Sequence, residues 1–279
     1  MPELPEIETL RRGLERETVG RRVKSVDVPV AKAVHRNGSR KAFQARLEGA
    51  KIKGVERRGS LLVFTLDSGE LLVIDIGTSG RLLRTSPKDE VPKDTQVVIT
   101  FTQGGQLRMA DAEGVAEAFV VTPDLLLEEV PELADLGLDP VAAPVSWTAF
   151  AQSLVTRRNE KLKPLLLDQT FVVGLGGLYA DEILYDAGLR PDREVSTIST
   201  MEIRRLYRSL VEILHEATKH HGTSTEEHPF TDLQGKEGSF QGELEVWGRD
   251  GEPCRRCRQT VAKQRSGGRV TYWCPSCQV

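Results

Sequence analysis

Apolar residues recur every three to four positions across residues 6–17, where Ile7, Leu10 and Leu14 share one face and charged residues fill the rest. That spacing predicts a helix with one buried side. Pro5 stands where a first helical turn tolerates a missing N–H. From Arg22 to about Val121 the texture shortens into β-rich runs broken by glycine and polar turns. Leu61–Leu66, Leu71–Ile76, Gln96–Thr102 and Val115–Val121 are the clearest of these runs. One helix followed by many short strands predicts a β-sandwich or barrel.

The segment 123–143 is acidic and proline-bearing, and it predicts a hinge. Helical periodicity then takes over. Trp147, Phe150 and Leu154 share a face, as do Leu178, Ile183 and Leu184; the longest helix, about 198–220, repeats Met201, Ile203, Leu206, Leu210, Ile213 and Leu214. Residues 222–243 lack a period and predict a loop, and a strand-like run from Glu243 leads into the cysteines. The expected architecture is therefore α+β. A β-sandwich domain with a leading helix spans 1–122, a hinge 123–143, a helical domain 144–242 and a small cysteine-bearing module 243–279.

Composition adds limits. A hydrophobic content of 39% in 279 residues supports real cores. No run approaches the roughly 20 apolar residues of a membrane helix. The opening Met1-Pro2-Glu3-Leu4-Pro5-Glu6 lacks the basic-then-apolar pattern of a signal peptide, so a cytosolic protein is expected; it is also expected to be a monomer associated with the nucleoid. The net charge of −3 is unremarkable, but its distribution is not. From Cys254 onward there are six Lys/Arg (Arg255, Arg256, Arg258, Lys263, Arg265, Arg269) and no acid, whereas Asp124 to Asp139 carries acids and no base. A basic tail on a near-neutral body is compatible with a polyanion meeting one face.

All four cysteines fall in two pairs, Cys254-x-x-Cys257 and Cys274-x-x-Cys277, separated by sixteen residues. Two residues between thiolates let each pair chelate one tetrahedral ion from a tight turn, with a hairpin between the pairs turning at Gly267 and Gly268. Tyr272 and Trp273 are placed to pack around these knuckles. One Zn²⁺ held by four thiolates has no open position for water, which makes it structural. Free thiols or two disulfides are the alternatives. His220, His221 and His228 have no metal-ligand spacing, and Arg204, Arg205 and Arg208 fit a solvated helix face.

Once Met1 is removed, Pro2 presents a secondary amine, which can attack an electrophilic sugar carbon and collapse to an iminium. Glu3 and Glu6 stand beside it as proton carriers. By itself this is a common sequence. Taken with the rest of the chain, however, it resembles the formamidopyrimidine-DNA glycosylase and endonuclease VIII family. Pro2 through Glu8 looks like that family's nucleophile segment. Leu165–Glu182, with Asp168 through Gly176 and Tyr179-Ala180, looks like its helix–two-turn–helix, and Gly248–Cys254 with Arg269–Cys277 looks like its zinc finger. The resemblance runs end to end and in order. It implies excision of a damaged base followed by elimination at the abasic site, on damaged or abasic DNA extruded from the stack. Pro2 would be the Schiff-base nucleophile, Glu3 a participant in proton transfer and Glu6 a further acid. Lys163 would lie near the lesion, and Arg269 would grip flanking phosphates.

Several family positions are changed. Ser60 stands where a phosphate-binding lysine is usual, Asp75 where a histidine is usual and Thr78 where a void-filling methionine is typical. Asp111-Ala112-Glu113-Gly114-Val115 replaces a segment that normally carries an arginine and a phenylalanine. Gly177 replaces an asparagine, and Trp247 a tyrosine. Each lost phosphate contact lowers the salt dependence of binding by about one unit of slope. The expectation is a DNA glycosylase with abasic-site lyase activity and an altered lesion preference. A non-catalytic damaged-DNA-binding module on the same clamp is the alternative, and a zinc-ribbon scaffold for a protein partner is a third.

Overall fold

The computed structural model describes residues 2–266 and 268–279, with Ser266 described by its backbone only. Met1 and Gly267, the first glycine of the expected hairpin turn, lie outside the described residues. By contact the chain divides into two units. The first takes in 1–2, 6–134 and 221–239; the second takes in 3–5, 135–220 and 240–279.

The first unit is the predicted sandwich. Helix α1 (Leu4–Thr18) starts the chain, most of it in this unit, and buries Ile7, Leu10 and Leu14 as the periodicity required. Eight strands follow: β1 (Val23–Asp27), β2 (Ile52–Arg58), β3 (Leu61–Leu66), β4 (Leu71–Asp75), β5 (Arg81–Thr85), β6 (Thr95–Phe101), β7 (Gln106–Ala110) and β8 (Glu117–Val121). They form two antiparallel sheets, ordered β1-β6-β7-β5 and β2-β3-β4-β8. Strand β3 alternates between two apolar environments. Leu62, Phe64 and Leu66 enter the main core, while Leu61 and Val63 join a second cluster under Leu126 and Val130. A strand buried on both faces reads as a continuous apolar run. Helix α2 (Arg40–Leu47), capped by Ser39, sits inside the stretch expected to be all β; only Phe43 and Leu47 of it are buried.

The predicted hinge is built of helical turns, including α3 (Leu126–Glu129), whose Leu126 covers the outer sheet face. Of the expected loop 222–243, residues 222–239 are irregular and pack into the sandwich, whereas Phe240–Glu243 form a helical turn in the second unit. Phe230 and Leu233 join the sandwich core, and Arg84 N–H donates to Leu233 O at 2.7 Å.

The second unit holds α4 (Trp147–Thr156), α5 (Leu162–Leu166), α6 (Gly177–Ala187) and α7 (Thr200–Lys219), with the hairpin β9 (Ala262–Ser266) and β10 (Arg269–Trp273). Helix α7 opens on a capping box: Ser199 Oγ accepts from Glu202 N–H while Glu202 accepts from Ser199 N–H. The run from Glu243 is not a strand. It is a series of turns whose N–H groups are drawn onto Glu182: those of Glu245, Val246 and Trp247 donate to its carboxylate at 2.8–3.0 Å.

Candidate functional site

Each predicted site residue has a definite place within its own unit. In the first, Pro2 is half-buried at the chain start. Glu6 is buried, and its Oε1 accepts from Thr223 N–H at 2.7 Å, so this acid anchors the loop that begins at Gly222. Glu8 collects three guanidiniums: Arg11 at 3.0 Å, Arg12 at 2.8 Å and Arg57 at 3.4 Å. Burial pushes its carboxyl up, but Arg11 and the other two outweigh that and hold it below the ordinary range.

In the second unit, Glu3 lies on the first turn of α6. Its carboxylate accepts from the N–H groups of Gly176 at 2.7 Å, Leu178 at 3.0 Å and Tyr179 at 3.4 Å. Those donors are among the N–H groups a helix leaves without internal partners, at the end where its dipole favours a negative charge. Gly176 is needed there because Glu3 occupies the place of a side chain; a Cβ would stand 2.5 Å from Glu3 Cδ.

Lys163, expected near the lesion, is buried in α5. Its ammonium pairs with Asp181 at 2.7 Å and donates to Val270 O at 2.7 Å and Thr271 Oγ1 at 2.9 Å. Asp181 also accepts from Tyr272 N–H at 2.8 Å. Burial drives both partners toward neutrality, lifting the Asp181 carboxyl to about 7 and lowering the Lys163 ammonium against the pull of Asp181. The pair ties α5 and α6 to the hairpin whose first residue in β10 is the exposed Arg269.

The four cysteines converge as predicted, with all sulfurs within 4.8 Å of one another. Cys254 and Cys277 Sγ lie 3.8 Å apart, Cys257 and Cys274 Sγ 3.4 Å. Thiolates at ~2.3 Å from a tetrahedral zinc stand roughly 3.8 Å from one another, so the donor set fits one structural zinc ion. Tyr272 is buried against Cys254 and Cys274 as expected, while Trp273 is only half-buried. Among the described residues no other cluster of His, Cys, Asp and Glu could hold a metal.

The positions that depart from the family pattern also have local reasons. Ser60 is in the β2–β3 turn. Asp75 faces Glu117 across β4 and β8, accepts from Gly77 N–H at 2.8 Å, and is pushed up in pKa by burial. Asp111 is the pin of the 111–116 loop: it accepts from the Ser79 hydroxyl at 2.6 Å and from the N–H groups of Glu113, Val115 and Ala116 at 2.7–3.0 Å. At the tip, Thr78 donates to Glu113 at 3.1 Å, and Val115 is 49% exposed. Gly177 is covered by the Trp247 ring, 3.6 Å from where its Cβ would be. Two changes that look separate in sequence are therefore neighbours. Arg204 lies over the Trp147 ring, and Arg205 and Arg208 pair with acids on α7, in keeping with a solvated face.

Asp181, Glu182, Asp111 and Tyr185 carry much of this organisation and were not singled out from sequence as site residues. The adjacent acids Asp181-Glu182 in a mostly apolar helix were the available signal.

Three family models match the chain in order. Residues 1–117 match the formamidopyrimidine-DNA glycosylase N-terminal domain, 136–228 its H2TH domain, and 251–279 the zinc finger found in FPG and IleRS. The chain is 36% identical over 278 residues to a formamidopyrimidine-DNA glycosylase of Pelotomaculum thermopropionicum, covering 100% of this chain and 99% of that one. It is 38% identical over 282 residues to one of Heliobacterium modesticaldum, with both chains fully covered. Among solved structures, it matches the Lactococcus lactis Fpg in complex with abasic-site DNA at a TM-score of 0.87 and 31% identity over 99% of each chain. A mutant of the same enzyme in complex with Fapy-dG DNA gives 0.88 and 32%, again over 99% of each.

Proposed function

The chain belongs to the formamidopyrimidine-DNA glycosylase family of DNA repair glycosylases, and from that premise we propose that it excises damaged bases from DNA and cleaves the resulting abasic site as a lyase. Its partner is damaged or abasic DNA, single- or double-stranded, which it meets as a monomer in the cytoplasm at the nucleoid. With Met1 removed, the Pro2 amine adds to the anomeric carbon of the deoxyribose as the base departs, giving an iminium. The iminium acidifies the neighbouring sugar proton; loss of that proton expels the 3′ phosphate, and a second elimination expels the 5′ phosphate.

The observation that carries this reading is Glu3. Three N–H groups of α6 orient its carboxylate before any substrate arrives, and Gly176 is bare to admit it. An acid next in sequence to the nucleophile and fixed this way suits proton transfer to the opening sugar. Glu6 acts as a further acid that also anchors the loop at Thr223. Lys163 serves as a positioning residue, since it holds Val270 and Thr271 next to Arg269, the phosphate contact.

Lesion preference differs from the family pattern. The tip displays Thr78, Glu113 and Val115 in place of long wedge side chains, and Ser60, Asp75 and Gly177 remove cations or donors. Abasic sites and single strands, which need no gap filled behind an extruded base, suit such a tip. The same losses favour a second reading, a damaged-DNA-binding protein without turnover. Borohydride reduction with single- and double-stranded abasic oligonucleotides separates the two. A covalent adduct at Pro2 is expected; a tight, salt-sensitive complex that never traps on either substrate would establish the second reading instead.

A further inference from the structure

The cysteine cluster carries a contact from outside its own module. Tyr185, in the last turn of α6, is fully buried, and its hydroxyl lies 3.2 Å from Cys254 Sγ. The ring has little freedom. The Arg256 guanidinium lies 4.2 Å over its face and donates to Tyr185 O at 3.1 Å and to Asp186 Oδ1 at 2.8 Å. The other Asp186 oxygen accepts from the Ser209 hydroxyl at 2.6 Å. Val246, Val261 and Tyr272 complete the buried cluster around the ring and the sulfurs.

Four thiolates around one divalent ion leave a net charge of about −2 in a partly buried place, which calls for hydrogen-bond donors. One is backbone, Cys277 N–H to Cys274 Sγ at 3.4 Å. A thiolate has no proton to give, so with metal bound the phenol is the donor in the Tyr185–Cys254 contact. We propose that Tyr185 is an outer-sphere ligand of the zinc site: its O–H donates to the Cys254 thiolate, spreads that sulfur's charge and slows loss of the ion. The same bond fastens the first knuckle to α6, the helix whose other end seats Glu3. Outer-sphere donors of this kind orient and tune metal ligands, and removing one costs roughly 10- to 100-fold in metal affinity.

The inference rests on the zinc assignment, and the test keeps the two apart. Tyr185→Phe keeps the ring and deletes the hydroxyl. In the full-length, zinc-loaded chain, transfer of the ion to a chromophoric chelator is expected to show about 10- to 100-fold weaker binding in the variant. The thiolate-to-metal charge-transfer bands of the cobalt-substituted chain are expected to shift. Arg256→Met, which unclamps the ring but leaves the hydroxyl, should release zinc faster than the parent and more slowly than Tyr185→Phe. Equal zinc affinity and identical cobalt spectra for parent and Tyr185→Phe overturn the role of the hydroxyl alone. A parent chain that holds no zinc by elemental analysis overturns the metal assignment and the inference with it.

Discussion

Gly176 shows how much an absent side chain can decide about its neighbour's position. Its backbone is unstrained, and the need for glycine comes wholly from Glu3, whose carboxyl carbon would sit 2.5 Å from any Cβ. Gly176→Ala is expected to push the carboxylate off the α6 N–H groups with little loss of fold. A displacement near 1 Å at a proton carrier costs on the order of 100-fold in rate. Borohydride trapping rates should fall by that order while the melting temperature barely moves; an unchanged rate would mean Glu3 needs no such seat. Gly222 is constrained twice, by a φ of +84° and by Glu6 Oε1 2.6 Å from its Cβ position. Neither constraint was legible in the sequence. The Glu3–Gly176 contact spans 173 residues, and Gly174-Leu175-Gly176-Gly177 drew attention for a lost asparagine rather than for that contact.

The elements most legible in sequence were those whose period is unbroken. Strand β3 matches its predicted bounds, and α7 falls within a residue or two of them, because their apolar positions repeat without interruption. Helix α2 escaped notice because two buried residues four apart, in a polar segment, carry too little pattern. The Glu243 run misled because local sequence does not reveal that Glu182, more than sixty residues earlier, claims its N–H groups. The 111–116 loop gives a test at this scale. Burial raises the Asp111 carboxyl, but the Ser79 hydroxyl and the N–H groups of Ala116, Glu113 and Val115 prevail and hold it below its ordinary value of 3.8. A depressed carboxylate contributes stability above its unfolded value, and that contribution is lost as pH falls through the depressed one. Asp111→Asn should therefore destabilise the first unit at neutral pH by about 1–3 kcal/mol, with the difference from the parent shrinking in acid below pH 3.8. Denaturant titrations at pH 7 and pH 3 check this; a gap that persists unchanged in acid would rule out the carboxylate as the pin.

Across the whole chain, the basic tail is less available than its composition suggests. Arg255, Arg256 and Lys263 pair with Glu245, Asp186 and Asp250, while Arg258, Arg265 and Arg269 are exposed. If Arg269 grips a phosphate, Arg269→Ala should lower the slope of log affinity against log salt by about one. A slope that does not move would remove Arg269 from the interface. The order of the three modules was legible in sequence because each has its own texture: short β runs, long helical periods and spaced cysteines. What crosses that order was not, and it bears on how the chain is made. The second unit enlists residues 3–5 and the first enlists 221–239, with Phe230 and Leu233 in its core. Neither body is contiguous, so during synthesis the sandwich emerges from the ribosome lacking part of its interior until residues 221–239 are translated. Nascent intermediates with open cores invite aggregation. The growing polypeptide should accordingly lean on chaperones until residues 221–239 have emerged, and a fragment cut after residue 220 should be far less soluble than one extended to 239.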